Sequence, residues 1–105
     1  MQNLYIFRDT VSGNSGDVFQ SVNDATMRRS CIRSLASVSP EIARDTVVLH
    51  IGTIDYDLDN CPIIRPVEPR IALSGSSPDI ETCRNELMKE ALRFTRESEG
   101  ESDEE

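Results

Sequence analysis

Thr46-Val47-Val48-Leu49-His50-Ile51-Gly52-Thr53-Ile54 is the stretch on which the fold turns. It is rich in β-branched residues, which fit a pleated and partly buried surface. The run Val47-Val48-Leu49 with Ile51 predicts a central strand covered on at least one face. Upstream, Pro40 predicts that a helix ends at or before Ser39, because the residue ahead of a proline is steered out of the helical region. That helix opens at Asn23 or Asp24, either of which can cap its exposed N–H groups. Ala25, Cys31, Ile32, Leu35 and Ala36 then recur at helical spacing. Before it, Leu4-Tyr5-Ile6-Phe7 reads as a strand and Ser12–Asp17 as a turn cluster. Val18–Val22 reads as a short returning strand.

Downstream, Asp55-Tyr56-Asp57-Leu58-Asp59-Asn60 turns the chain. Cys61–Leu73 is extended, and its Pro62, Pro66 and Pro69 cannot donate to a ladder, so it reads as an edge strand or a surface-hugging arm. Ser74–Ser77 reads as a linker. Ser77 and Pro78 then start a second helix, with Asp79 and Glu81 in its first turn and Lys89, Arg93 and Arg96 late in it. The sequence thus predicts an α+β protein in which a small antiparallel sheet packs against one helix. Its parts are a domain over 1–73, a Ser/Gly linker over 74–77, an amphipathic helix over 78–96 and a disordered acidic tail over 97–105.

The 105 residues carry 19 acidic and 11 basic side chains, a formal charge of −8. A chain of this length normally forms one domain with a thin stability margin. The charge is divided unevenly: residues 1–74 hold seven Arg, no Lys and nine acids, a balance of −2, whereas residues 75–105 hold four bases and ten acids. Glu97–Glu105 contains six acids and no base, a composition that repels itself and buries little. The near-neutral body leaves nucleic acid open as a partner. No run of 18 apolar residues predicts a membrane span. Met1-Gln2-Asn3-Leu4 shows no basic region leading into an apolar stretch, so no secretory signal is expected.

Cys31, Cys61 and Cys83 include no C-x-x-C pair, and the odd number leaves at least one thiol unpaired. Reduced cysteines acting as small apolar residues in a cytosol account for them. His50 has no Cys or His within five residues, so no zinc site is expected. Asp55-x-Asp57-x-Asp59 has the spacing of a calcium loop, but Asn60 stands where glycine is needed and Pro66 where a bidentate Glu is needed. A hairpin turn with solvated acids is the reading taken, and no metal or cofactor is expected. One histidine, and no Ser or Cys in a nucleophile context, leave acid–base and covalent chemistry few candidates, so the sequence predicts a protein that is not an enzyme.

Two surfaces stand out. Arg28, Arg29 and Arg33 crowd the first helix, and Arg44 follows it. Four guanidiniums so placed can bind backbone phosphates or an acidic protein surface, or form an ordinary solvated face. On a helical wheel Arg29 and Arg33 sit together beside the apolar stripe, whereas Arg28 points nearer the stripe itself. On the second helix Ile80, Leu87, Ala91 and Phe94 line one side, a stripe that can pack on the body, bind a partner or pair with its own copy. The tail can act as a solubiliser, as a mimic of nucleic acid, or as a screen over the chain's own arginines.

The order of landmarks resembles a known family. A first strand ends in Arg8-Asp9, and a Gly-rich turn leads to Val18-Phe19. Asn23-Asp24-Ala25 opens a helix carrying Arg29, and a later strand ends Ile51-Gly52-Thr53-Ile54-Asp55. Over residues 1–65 this resembles the small nonstructural protein of gokushoviruses, the single-stranded DNA phages of the Microviridae. Ile54 replaces the family's aromatic residue, Asn60 stands near an expected turn glycine, and Cys31 falls where the family helix tends to have Phe. The resemblance implies a phage-encoded nonstructural protein in the host bacterial cytoplasm, absent from the capsid. It implies a role in viral DNA synthesis or in the shift to single-strand production and packaging. Asn23, Asp24 and Gly52 then read as a cap and a close-approach or bulge position, and Arg29 as the functional carry-over. Single-stranded DNA, a viral or host replication or packaging protein, and a second copy of the chain are the partners expected.

Overall fold

The computed structural model describes the backbone of residues 1–103 and side-chain surroundings through Thr95. Its elements run β1 (Gln2–Asp9), β2 (Ser15–Ser21), α1 (Asp24–Ala36), α2 (Pro40–Arg44), β3 (Thr46–Tyr56), β4 (Pro62–Ser74) and α3 (Pro78–Asp103). The four strands form one sheet in the order β2-β1-β3-β4, and every neighbouring pair is antiparallel. The α+β architecture read from the sequence is the one observed. Two hairpins, β1–β2 and β3–β4, join through α1 and α2, so β3 is central and β4 an edge.

Strand alternation sends one set of side chains toward the helices. Tyr5 lies opposite both Phe19 and His50, Phe7 opposite Val48, and Val48 opposite Leu73. Tyr5, Val48 and Leu73 meet Met27, Cys31, Leu35 and Ala36 of α1, Ala43 of α2 and Ile80 of α3 in one core. The opposite face of the sheet has no helix over it, and Val18, Ile64 and Ile71 there are 54%, 60% and 63% exposed.

Asn23 caps α1, its side chain accepting from the Thr26 amide at 2.8 Å. Pro40 opens α2 as its first helical residue, where its missing N–H costs nothing. The sequence reading saw in Pro40 only the end of α1 and missed this short helix. The β3–β4 turn uses Asn60 with φ at 62°, a left-handed conformation that Asn tolerates. Asp57 Oδ1 accepts from the Asp59 and Cys61 amides, both at 2.9 Å, so this carboxylate organises the turn. Ala72 is an extra residue in β4, and residues 67–69 bulge opposite Ile51, an excursion that accommodates Pro69.

Ser74–Ser77, read as a linker, is a tight corner. The Gly75 amide donates to Thr46 O at 2.8 Å, and a Cβ on Gly75 would lie 1.6 Å from Ala43 O. Close backbone packing, not flexibility, accounts for this glycine. The corner drops Ile80 into the core at 1% exposure, so α3 belongs to the same packed unit as residues 1–73. Fully burying an Ile side chain stabilises by about 1.5–3 kcal/mol. The helix is assigned through Asp103; the side chains beyond Thr95, and Glu104 and Glu105 altogether, lie outside the described residues, and with them the tail expected over 97–105.

Gly75→Ala is expected to cost about 3 kcal/mol or more, because backbone and not a side chain blocks the new methyl. Gly52→Ala, whose Cβ would lie 2.7 Å from Arg65 O, should cost less but remain measurable. Gly16→Ala meets nothing nearer than 3.8 Å and serves as the mild control. In thermal melts Gly75→Ala should lose more than about 10 °C. Equal melting temperatures for Gly75→Ala and Gly16→Ala would contradict the corner as described.

Candidate nucleic-acid interface

α1 presents its arginines in two ways. Arg28 lies within the stripe of Met27, Cys31 and Leu35, and it is engaged in the fold. Its Nη1 donates to Ala72 O at 3.3 Å and its Nη2 pairs with Asp79 at 3.2 Å, tying α1 to the β4 bulge and to the first turn of α3. The extra residue at Ala72 supplies the carbonyl. Arg29 and Arg33, one turn apart on the outer face, are exposed and form no ion pair or side-chain hydrogen bond among the described residues. Side chains four apart on a helix are neighbours, so the two guanidiniums can address adjacent phosphates.

Arg44, at the end of α2, is not part of that helix face. It lines a cleft of about 170 Å³ together with Pro40, Gly75, Ser76, Ser77, Ile80, Glu81 and Arg84. Arg84 was not singled out from sequence. The available signal was its place four residues after Ile80, on the packed side of the helix. Of the α3 stripe, Ile80 is buried and Leu87 packs against the core, so neither is offered to a partner by the folded chain. Ala91 and Phe94 are exposed, Phe94 at 73%, and Met88 and Leu92 beside them at 58% and 57%.

Beside this surface Tyr5, Asp24 and Arg70 form a polar cluster in which Tyr5 is buried and the two charged side chains are partly exposed. The Tyr5 hydroxyl donates to Asp24 Oδ1 at 2.6 Å, and Arg70 Nη2 donates to both Asp24 oxygens at 3.2 and 2.9 Å. Burial, then the Asp24 hydrogen bond, pushes the Tyr5 phenol well above its ordinary range. The Tyr5 hydrogen bond, then Arg70, holds the Asp24 carboxyl below the usual carboxylate range. His50 is 9% exposed, its Nε2 is 3.0 Å from Asn3 Oδ1, and its ring is tilted against Tyr5. These contacts make it a satisfied member of the core. Cys31, Cys61 and Cys83 are all free thiols, and burial pushes the Cys31 thiol up.

Among the described residues, no helix is long and apolar enough to cross a membrane. No protein-family model, curated protein or solved structure matches the chain.

The Asp24 shift fixes a pH dependence. A carboxyl held below its unfolded value of about 3.9 contributes stability above that pH and loses it as pH falls through the folded value. Asp24→Asn should cost about 1 kcal/mol near neutrality, a modest figure because the carboxylate is partly exposed. In urea unfolding, the gap between wild type and variant should close as pH falls from about 5 to about 2. A gap that stays constant over that range would rule out the ionised carboxylate as the source.

Proposed function

We propose that this chain is a non-enzymatic accessory protein of a single-stranded DNA phage, acting by binding DNA during genome synthesis or the switch to single-strand production and packaging. Its place of action is the host bacterial cytoplasm. The observation that carries the reading is the sorting of the α1 arginines: Arg28 is held by Asp79 and Ala72, whereas Arg29 and Arg33 are exposed and unpaired among the described residues. The phage context comes from the gokushovirus resemblance, in which Asn23 is read as a cap and Gly52 as a close-approach or bulge position; in the fold Asn23 caps α1, and a Cβ on Gly52 would lie 2.7 Å from Arg65 O. Binding through phosphates needs few aromatic side chains, and Phe7 and Phe19 pack against the core.

Fluorescence anisotropy on a single-stranded oligodeoxynucleotide tests the reading. Affinity should fall with salt at a logarithmic slope of about 0.7 per phosphate contacted. Arg29→Gln combined with Arg33→Gln should reduce that slope by about 1.4. Absence of binding by the full chain at low salt, or an unchanged slope, would overturn the proposal.

A second reading has its own observation. The outer half of α3 exposes Met88, Leu92 and Phe94 on a helix whose inner half packs on α1 through Ile80, Cys83 and Leu87. On this reading α3 binds a viral or host replication or packaging protein, or a second copy. Removal of residues after 76 would strip Ile80 from the core, so Leu92→Ser with Phe94→Ser is the cleaner variant. Sedimentation should show concentration-dependent association of the full chain that the variant lacks. Identical monomers, with no partner lost in pulldowns, would reject it.

A further inference from the structure

We propose that the helix-free face of the sheet is a dimer interface, packed face to face against the same face of a second copy of this chain. The inference stands apart from both readings above, since that face carries neither the α1 arginines nor the exposed half of α3. Three observations carry it.

First, the strands have the composition of strands covered twice. Leu4-Tyr5-Ile6-Phe7 and Val47-Val48-Leu49 are unbroken apolar runs, the pattern of strands buried on both faces. A sheet with one wet face instead alternates apolar with polar residues. Tyr5, Phe7 and Val48 point to the helices and sit in or against the core. By strand alternation Leu4, Val47 and Ile54 point the other way; all three are buried, yet none belongs to that core. A second apolar layer therefore lies on the face that no helix covers.

Second, the register joins this layer into one continuous patch. Val18 pairs with Ile6, Ile6 with Leu49 and Leu49 with Ile71, so an apolar row crosses all four strands. Ile54 and Ile64 pair in a further row nearer the β3–β4 turn. Val18 and Ile71, at the two ends of the long row, are each more than half exposed. Among the paired residues of this face, Arg8 at one end is the one charged side chain. A charged partner such as nucleic acid finds little to bind there, and a second copy meets no like charge at the centre.

Third, the area matches what a dimer needs. Four strands about 4.8 Å apart span about 19 Å, and residues 47–54 run about 27 Å at about 3.4 Å each. The projected footprint is about 500 Å² a copy, or about 1,000 Å² for the pair, and side-chain relief adds to it; a specific interface must clear about 1,000 Å². Two sheets packed this way sit about 10 Å apart with their side chains interdigitated. A two-fold axis through the middle of the long row sets Ile6 and Leu49 against the same pair of the other copy and covers Val18 and Ile71 at the flanks. Such an isologous contact closes on itself as a dimer.

Sedimentation velocity of the full chain, from low-micromolar to submillimolar concentration, tests the proposal. The sedimentation coefficient should rise to that of a dimer. The melting temperature should rise with protein concentration, since association stabilises only the folded state. Ile71→Glu puts a charge on an exposed flank of the row, so the variant should melt as dilute wild type does while its dimer weakens at least about tenfold. Val18→Glu, on the opposite edge strand, should act alike and decides if Ile71→Glu does not fold. Leu92→Ser with Phe94→Ser should leave the dimer intact. A wild-type chain that stays monomeric throughout, or a dimer that survives both Ile71→Glu and Val18→Glu, would overturn the proposal. So would an association kept by Ile71→Glu but lost in Leu92→Ser with Phe94→Ser, which would assign the contact to α3.

Discussion

A phenol with no exposed surface at the centre of the sheet has to find an acceptor for its hydroxyl. Tyr5 is such a group, and Asp24 is the acceptor. The aromatic ring favours burial, but its O–H does so only when hydrogen-bonded. Asp24 is the first residue of α1, where the helix dipole favours a carboxylate. Arg70, from the edge strand, closes on the same carboxylate. One side chain thereby sets how α1 lies over β1, and a second ties β4 to the same point. The ring is also flanked by Phe19 and His50, with centroids 5.7 and 5.3 Å away, so rotating it to release the hydroxyl would disturb both neighbouring strands.

The parts of the fold legible in the sequence are those governed by local periodicity. β3 announces itself through β-branched residues, β4 through prolines that suit only an edge, and α1 through its Asn23 cap. What was not legible depends on which distant segment comes close. Pro40 suits both the end of one helix and the first residue of another, and only the docking of Ala43 into the core selects the second. Ser74–Ser77 has the composition of a flexible connector. Its glycine is required because Ala43 and Thr46, about thirty residues earlier, crowd its Cα. The partners Tyr5, Asp24 and Arg70 are 19 and 46 positions apart, a separation no helical or strand period encodes.

The candidate site shows the same division. A helical wheel distinguishes Arg28 from Arg29 and Arg33, because it measures position relative to an apolar stripe. It does not show that the carbonyl at Ala72 and the carboxylate of Asp79 will meet Arg28. Nor does it pair Arg44 with Arg84, which are brought together by the corner at Gly75. A stripe such as Ile80, Leu87, Ala91 and Phe94 looks uniform in sequence. Folded, it divides near Leu87 into a half that completes the core and a half that meets only solvent, because α3 outruns the helix it packs on.

An acidic chain can present a basic face where its cations are left unmatched. The Arg28–Asp79 pair anchors the first turn of α3 beside α1, and Arg70 closes on Asp24, so two arginines of the sheet-and-helix body are already matched by carboxylates. The charge of −8 is an aggregate: residues 1–74 sum to −2, with seven arginines against nine acids. Arg29 and Arg33 are exposed and have no carboxylate partner among the described residues, and it is this local lack of a partner, rather than the aggregate charge, that lets the outer face of α1 address an anion.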